Sequence, residues 1–165
     1  MRDIIMIAHN LRSTHNVGSL LRTCEGLGVK HLYLTGYTPY PKSTNDSRLP
    51  HLAEKLHKQI AKTGLGSETL VDWSHTEDIF TVFSSLRADG YTIAAVEQSH
   101  TSVPLPDFKP PQKIALIVGR EVEGVEPEVL AVCDQLLEIP MFGKKESFNV
   151  VQAAAMALYH CRFVK

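Results

Sequence analysis

The sequence predicts an α/β domain with a mainly parallel sheet flanked by helices. Three observations carry this reading. Short apolar runs alternate with amphipathic segments along the chain. The run Ile114-Ala115-Leu116-Ile117-Val118 is apolar at every position, as a strand buried on both faces requires. Polar, glycine-bearing loops follow three of the apolar runs, where α/β folds place their ligands.

The elements follow in order. Strands are expected at residues 3–8, 31–34, 69–73, 91–96, 113–118 and 135–139, and helices at 16–27, 51–62, 77–88, 127–132 and 147–163. Asn16 is placed to cap the first helix and Gly28 to end it. Thr76-Glu77-Asp78 sets acids at the start of the third helix, and Pro127 suits a first helical turn. Two loops, 36–50 and 102–112, are rich in proline. The first is long enough to serve a function. Neither reads as a linker, because the flanking segments cannot fold alone.

Composition narrows the class. The 165 residues, 44% of them apolar, suit a single domain over residues 1–165 with a substantial core. No apolar run approaches the roughly 18 residues of a membrane span, and the opening residues lack the pattern of a signal peptide. Cys24, Cys133 and Cys161 are odd in number and far apart, which fits free thiols in a cytoplasmic protein. The net charge of −1 hides an asymmetry: residues 1–62 carry nine Lys/Arg against four Asp/Glu, residues 63–138 four against thirteen, and residues 139–165 four against one. The basic ends are suited to a polyanion if folding unites them, although charge blocks also serve as solvated faces.

Common signatures are absent. There is no GxGxxG after a strand, no P-loop glycine ahead of Lys62-Thr63, no HExxH and no His/Cys cluster, so no metal is expected. Three segments remain unusual. The first, 10–25, contains Asn16, Gly18 and, one helical turn beyond that glycine, Arg22. The second, 118–125, contains Gly119, Glu121 and Gly124. The third joins Ile139-Pro140-Met141 to Ser147-Phe148-Asn149-Val150 ahead of an alanine-rich helix. Taken singly, Asn16 also reads as a plain helix cap, Glu121 as a solvated loop acid and Ile139-Pro140-Met141 as a strand end.

Together, in this order and spacing, these segments resemble the three motifs of the SpoU (TrmH-like) RNA ribose 2′-O-methyltransferases of the SPOUT class. Asn16, Gly18 and Arg22 match N-x-G-x-x-x-R. Gly119, Glu121 and Gly124 match G-x-E-x-x-G. Residues 139–141 and 147–150 match I-P-M…S-L-N-V, with Phe148 in place of the usual leucine. Segments 60–68 and 91–98 also look like family segments, so the resemblance spans nearly the whole chain.

The resemblance implies a C-terminal trefoil knot, a feature that periodicity would not suggest. It implies S-adenosyl-L-methionine as cofactor, held near Val96, Gly119, Ile139, Met141, Ser147 and Phe148. It implies methyl transfer to a ribose 2′-hydroxyl of structured RNA, foremost tRNA. Ribosomal RNA, or a catalytically silent RNA-binding role, are the alternatives. Arg22 is expected to clamp the neighbouring phosphate, Asn16 to orient the ribose or Arg22, Glu121 to hold Arg22, and Ser147 and Asn149 to complete the polar floor. Arg12, Lys42, Arg48, Lys144 and Lys145 are the expected RNA contacts. A homodimer is implied, paired through the first and last helices, and no accessory RNA-binding domain is matched.

Overall fold

The computed structural model describes residues 1–164. Seven strands form one parallel sheet: β1 (Asp3–His9), β2 (His31–Thr35), β3 (Trp73–Thr76), β4 (Thr92–Val96), β5 (Val103–Pro104), β6 (Lys113–Val118) and β7 (Gln135–Glu138). Their order is β3-β2-β1-β6-β4-β7-β5. The helices are α1 (Thr14–Gly26), α2 (Pro50–Gly64), α3 (Ile79–Ala88), α4 (Pro127–Leu130) and α5 (Val150–Phe163).

Side-chain alternation along the central strands divides the core. Ile4, Met6 and Ala8 of β1 join Ile114, Leu116 and Val118 of β6 on the face covered by α1, α2 and α5. Ile5, Ile7, Ala115 and Ile117 point to the opposite face, beneath α3 and α4. Both faces of these strands are covered, which is why they read as unbroken apolar runs.

Most expected elements are present, and the differences have physical causes. The third strand lies at Trp73–Thr76 rather than 69–73, and residues Ser67–Thr69 form a 3-10 turn. The Trp73 indole donates to the Glu68 carbonyl, folding the earlier residues away from the sheet. This strand borders the sheet and carries Ser74, His75 and Thr76, so it lacks an apolar run. β5 was not expected; it is two residues long and contains a proline, which a sheet edge tolerates. Ser13, not Asn16, caps α1, its hydroxyl accepting from the Asn16 amide. Asp78 caps α3, leaving Glu77 outside the helix. α4 ends at Leu130, and α5 begins at Val150 with Asn149 as its cap.

Gly18 makes α1 and α2 fit. A β-carbon there would stand 2.1 Å from the Ile60 carbonyl oxygen and 2.2 Å from the Thr63 hydroxyl. The Thr63 hydroxyl in turn donates to the His15 carbonyl. The close approach that Gly18 permits is therefore to a neighbouring helix.

Candidate active site

Strand order brings the motif-bearing loops together. β1 and β6 are neighbours, and beyond β6 come β4 and β7. The chain progresses outward from β1 through β2 to β3, then fills the other side of the sheet. The β1/β6 boundary is thus a topological switch point, with its crevice at the carboxyl ends of the strands.

The loop after β6 folds back on itself. The Arg120 and Gly124 amides and carbonyls bond reciprocally at 3.1 Å. From this loop Glu121 reaches the start of α1. Its carboxylate accepts from the Ser13 amide at 3.0 Å, from the Arg12 amide at 3.2 Å and from the Asn16 side-chain amide at 3.2 Å. A helix N-terminus with free N–H groups favours such an anion. Partial burial pushes the Glu121 pKa up, but the donors from Ser13, Asn16 and Arg12 prevail and hold it below the usual glutamate value. The Asn16 oxygen accepts from Asn149 at 3.4 Å, while the Asn149 oxygen caps α5 through the Val151 amide. A polar chain Glu121–Asn16–Asn149 therefore ties all three segments together.

A cleft opens beside this chain. Val96, Gly119, Ile139, Ser147 and Phe148, five of the six expected cofactor residues, line it together with Glu121. Met141 does not line it; it stands farther along the chain beyond Pro140. Glu97 and Glu123 add further carboxylates to the wall. Apolar walls with a few fixed acids suit a ligand that combines an adenine ring with a cationic sulfonium centre.

Several expected contacts take another form. Glu121 does not hold Arg22. Arg22 is exposed on α1, six residues and roughly 9 Å of helix rise beyond Asn16, and makes no hydrogen bond or ion pair among the described residues. Gly119 has a role within its own loop. A β-carbon there would meet the Gly124 carbonyl and the Val125 amide nitrogen at 2.6 Å, so the folded-back loop itself excludes it. Arg48 is not free for RNA. Its guanidinium binds both Asp46 oxygens and the carbonyls of Tyr40 and Pro41, and it stacks 3.5 Å from the Tyr40 ring centroid. Arg12 is exposed near the cleft and pairs with Glu123 at 3.2 Å, while Lys42 pairs with Glu54. Lys144 and Lys145 are exposed on the loop between β7 and α5.

Glu97 was not anticipated. Its carboxylate accepts from the amides of Gln98 and Val125, and it occupies the space a side chain on Gly124 would take. An acid placed directly after a buried strand, at the carboxyl edge, was the available signal. Among the described residues no cluster of three His, Cys, Asp or Glu is arranged for a metal, and no helix is long and apolar enough to cross a membrane.

Comparison with known proteins places this geometry among relatives. The model of the SpoU rRNA Methylase family matches residues 3–159. The tRNA (guanosine(18)-2′-O)-methyltransferase of Aquifex aeolicus is 28% identical over 161 residues, covering 98% of this chain and 69% of the relative. The enzyme of the same name from Thermus thermophilus is 26% identical over 97% of this chain and 74% of its own. Among solved structures, the A. aeolicus TrmH/SpoU tRNA modifying enzyme superposes with a TM-score of 0.79 at 25% identity, covering 98% of this chain and 75% of that one. An AdoMet-bound rRNA methyltransferase from Sinorhizobium meliloti shares the fold, with a TM-score of 0.80 at 20% identity over 97% of this chain and 56% of that one.

Proposed function

The chain belongs to the SpoU rRNA Methylase family, and from that premise we propose that it methylates the ribose 2′-hydroxyl of a structured RNA, foremost tRNA, using S-adenosyl-L-methionine. The observation that carries this reading is the Glu121–Asn16–Asn149 chain beside the cleft, which joins all three motifs in one place. The named relatives that act on tRNA favour tRNA over ribosomal RNA.

The cofactor, when bound, supplies an electrophilic methyl group on a positively charged sulfur. Val96, Ile139 and Phe148 offer its adenosine apolar walls, and the acids of the cleft complement its charge. Asn16 and Asn149 orient the ribose at the mouth of the cleft. The guanidinium fork of Arg22 clamps the flanking phosphate bidentately, which lowers the pKa of the attacking hydroxyl. The proton leaves to that phosphate or to water.

The reading includes a homodimer, in which α1 faces the second subunit and both subunits hold the RNA. On α5, Tyr159 and Phe163 are each about 60% exposed, beside an apolar groove lined by Leu105, Pro106 and Met156, which favours pairing. The strand order, with β7 between β4 and β5, is consistent with a knotted C-terminal segment. A catalytic domain working in the cytoplasm completes the reading.

Methyl transfer to tRNA and to ribosomal RNA from cells lacking the gene, followed by mapping of 2′-O-methyl sites, tests the proposal. Modification of one tRNA nucleotide is expected. Cofactor binding without transfer to either RNA would instead establish the silent RNA-binding role.

A further inference from the structure

A second acid grips the loop between β1 and α1. Glu126 lies two residues beyond the second motif, and its Oε1 accepts from the Asn10 side-chain amide at 2.7 Å. The same oxygen stands 3.6 Å from Arg120 Nε, and Oε2 stands 3.4 Å from His9 Nε2. Glu126 occupies the N-cap position of α4 yet makes no side-chain cap bond there. Its Oε2 is also buried without a hydrogen-bond partner among the described residues. A short polar residue at this position would cap the helix and bury no orphan oxygen. Local stability is thus forgone for a long-range tie, the kind of conflict that marks functional positions.

Asn10 is the other end of that tie. It is a non-glycine residue at φ 56°, in the left-handed region. Its side-chain oxygen accepts from the Tyr37 amide, and it packs so closely on Gly36 that a β-carbon there would lie 1.9 Å from that oxygen. After Leu11 come Arg12 and Ser13, whose amides Glu121 holds, and then Asn16. The loop is therefore pinned at its start by Glu126 and at its end by Glu121, two acids between β6 and α4.

We propose that Glu126 is a positioning residue for methyl transfer: through Asn10 it fixes where the loop leaves β1, and hence where Arg12 to Asn16 stand against the cleft. The inference rests on the methyltransferase reading for its catalytic consequence, but its structural half is independent of that reading.

Glu126→Ser and Glu126→Gln separate this role from simple stability. Serine supplies the missing helix cap, so its melting temperature should stay within about 2 °C of the parent or exceed it. Its kcat on tRNA should fall about tenfold, as a small displacement of reacting groups entails, while the Kd for S-adenosyl-L-methionine stays within about twofold. Glutamine keeps one acceptor for Asn10 and should retain an intermediate rate. Hydrogen exchange at the Arg12 and Ser13 amides should quicken in Glu126→Ser, a readout that needs no activity. Parental kcat in Glu126→Ser, or rates that simply follow melting temperature, would overturn the catalytic half. Unchanged exchange at residues 10–13 would overturn the whole inference. If the parent protein methylates no RNA while exchange still quickens, the methyltransferase reading fails and the tie between Glu126 and the loop stands.

Discussion

The Glu121 carboxylate lies 3.0 Å from the amide nitrogen of Ser13, the residue that caps α1, so the second motif completes the N-terminus of the helix bearing the first. One anion thereby satisfies helix donors that would otherwise need water. Replacing Glu121 with Ala should cost about 1 kcal/mol of stability, a modest figure because solvent screens the site. It should lower methyl transfer far more, by at least about tenfold, because Asn16 loses its partner as well. Glu121→Gln should recover most of the stability and only part of the rate. Denaturant titration and single-turnover kinetics on the two variants check this. Parental turnover in Glu121→Ala would remove the residue from the site.

Arg22 is expected to behave in the opposite way. With no partner among the described residues, Arg22→Ala should change stability by less than about 0.5 kcal/mol. Arg22→Lys keeps the charge but loses the planar fork, and should reduce methyl transfer by about 100-fold or more with cofactor affinity unchanged. Calorimetry with S-adenosyl-L-methionine beside a methyl-transfer assay measures both. Near-parental turnover in Arg22→Lys would rule out the phosphate clamp.

Gly119→Ala tests the folded-back loop. The added β-carbon meets main-chain atoms at 2.6 Å, and main chain cannot rotate aside as a side chain can. A loss of about 1–3 kcal/mol is expected, together with loss of cofactor binding. Gly26→Ala is the matched control. It is the last residue of α1, has nothing among the described residues within 4 Å of the new atom, and should change stability by no more than about 0.5 kcal/mol. Thermal melts of both variants decide the point, and a Gly119→Ala protein that melts and binds like the parent would contradict the loop geometry.

Much of this was legible in the sequence, and the reasons differ by residue. β1 and β6 are buried on both faces, so their apolar runs announced a parallel sheet directly. Asn16, Glu121, Ser147 and Asn149 were legible because their motifs occur in order, and folding brings them to one sheet edge. The reasons for the two motif glycines were less visible. Gly18 serves a helix contact with Ile60, forty-two residues away, and Gly119 serves a turn closed by Gly124. Arg48 looked like a free cation because nothing in the sequence shows two carbonyls converging on it. Glu126 was hidden differently: its partners, His9 and Asn10, are more than one hundred residues distant.

Stability should depend on pH through two histidines. Burial lowers the pKa of His9, partly offset by Glu126, and burial likewise lowers that of His31, which bonds Ser74. Each is therefore less basic in the folded chain than its ordinary value of 6.5. The unfolded chain takes up the proton first as pH falls, so their contribution is complete above about pH 6.5 and declines below it. Denaturation midpoints should be level between about pH 7 and 8 and fall from about 6.5 towards 5. His31→Gln, which keeps a donor for Ser74, should flatten part of that slope. A midpoint constant down to pH 5 would show that neither histidine is perturbed as described.

Arg48 and the Lys144–Lys145 pair allow a test of which expected cations meet RNA. The Arg48 guanidinium donates within the loop 36–50 to Asp46, Tyr40 and Pro41, and its carbon stands 3.5 Å from the Tyr40 ring centroid. That ring stacks on His75 at 4.0 Å, next to the edge strand β3. Removing the guanidinium takes a donor from two carbonyls and leaves the Asp46 carboxylate only the Ser43 and Arg48 amides, so Arg48→Ala should lower the melting temperature by about 3–8 °C. Its effect on RNA binding should be indirect and should leave the salt dependence unchanged. Lys144 and Lys145 stand exposed between two residues of the cleft wall, Ile139 and Ser147. Each phosphate contact they make releases counterions, so losing one should reduce the slope of log K against log salt by about 0.7–0.9. Lys144→Ala and Lys145→Ala should accordingly weaken tRNA binding at low salt, converge with the parent at high salt, and leave melting unchanged. Filter binding across a salt series, with a melt of each variant, measures both quantities. A parental slope in the double lysine variant, or a reduced one in Arg48→Ala at full stability, would reverse the assignment.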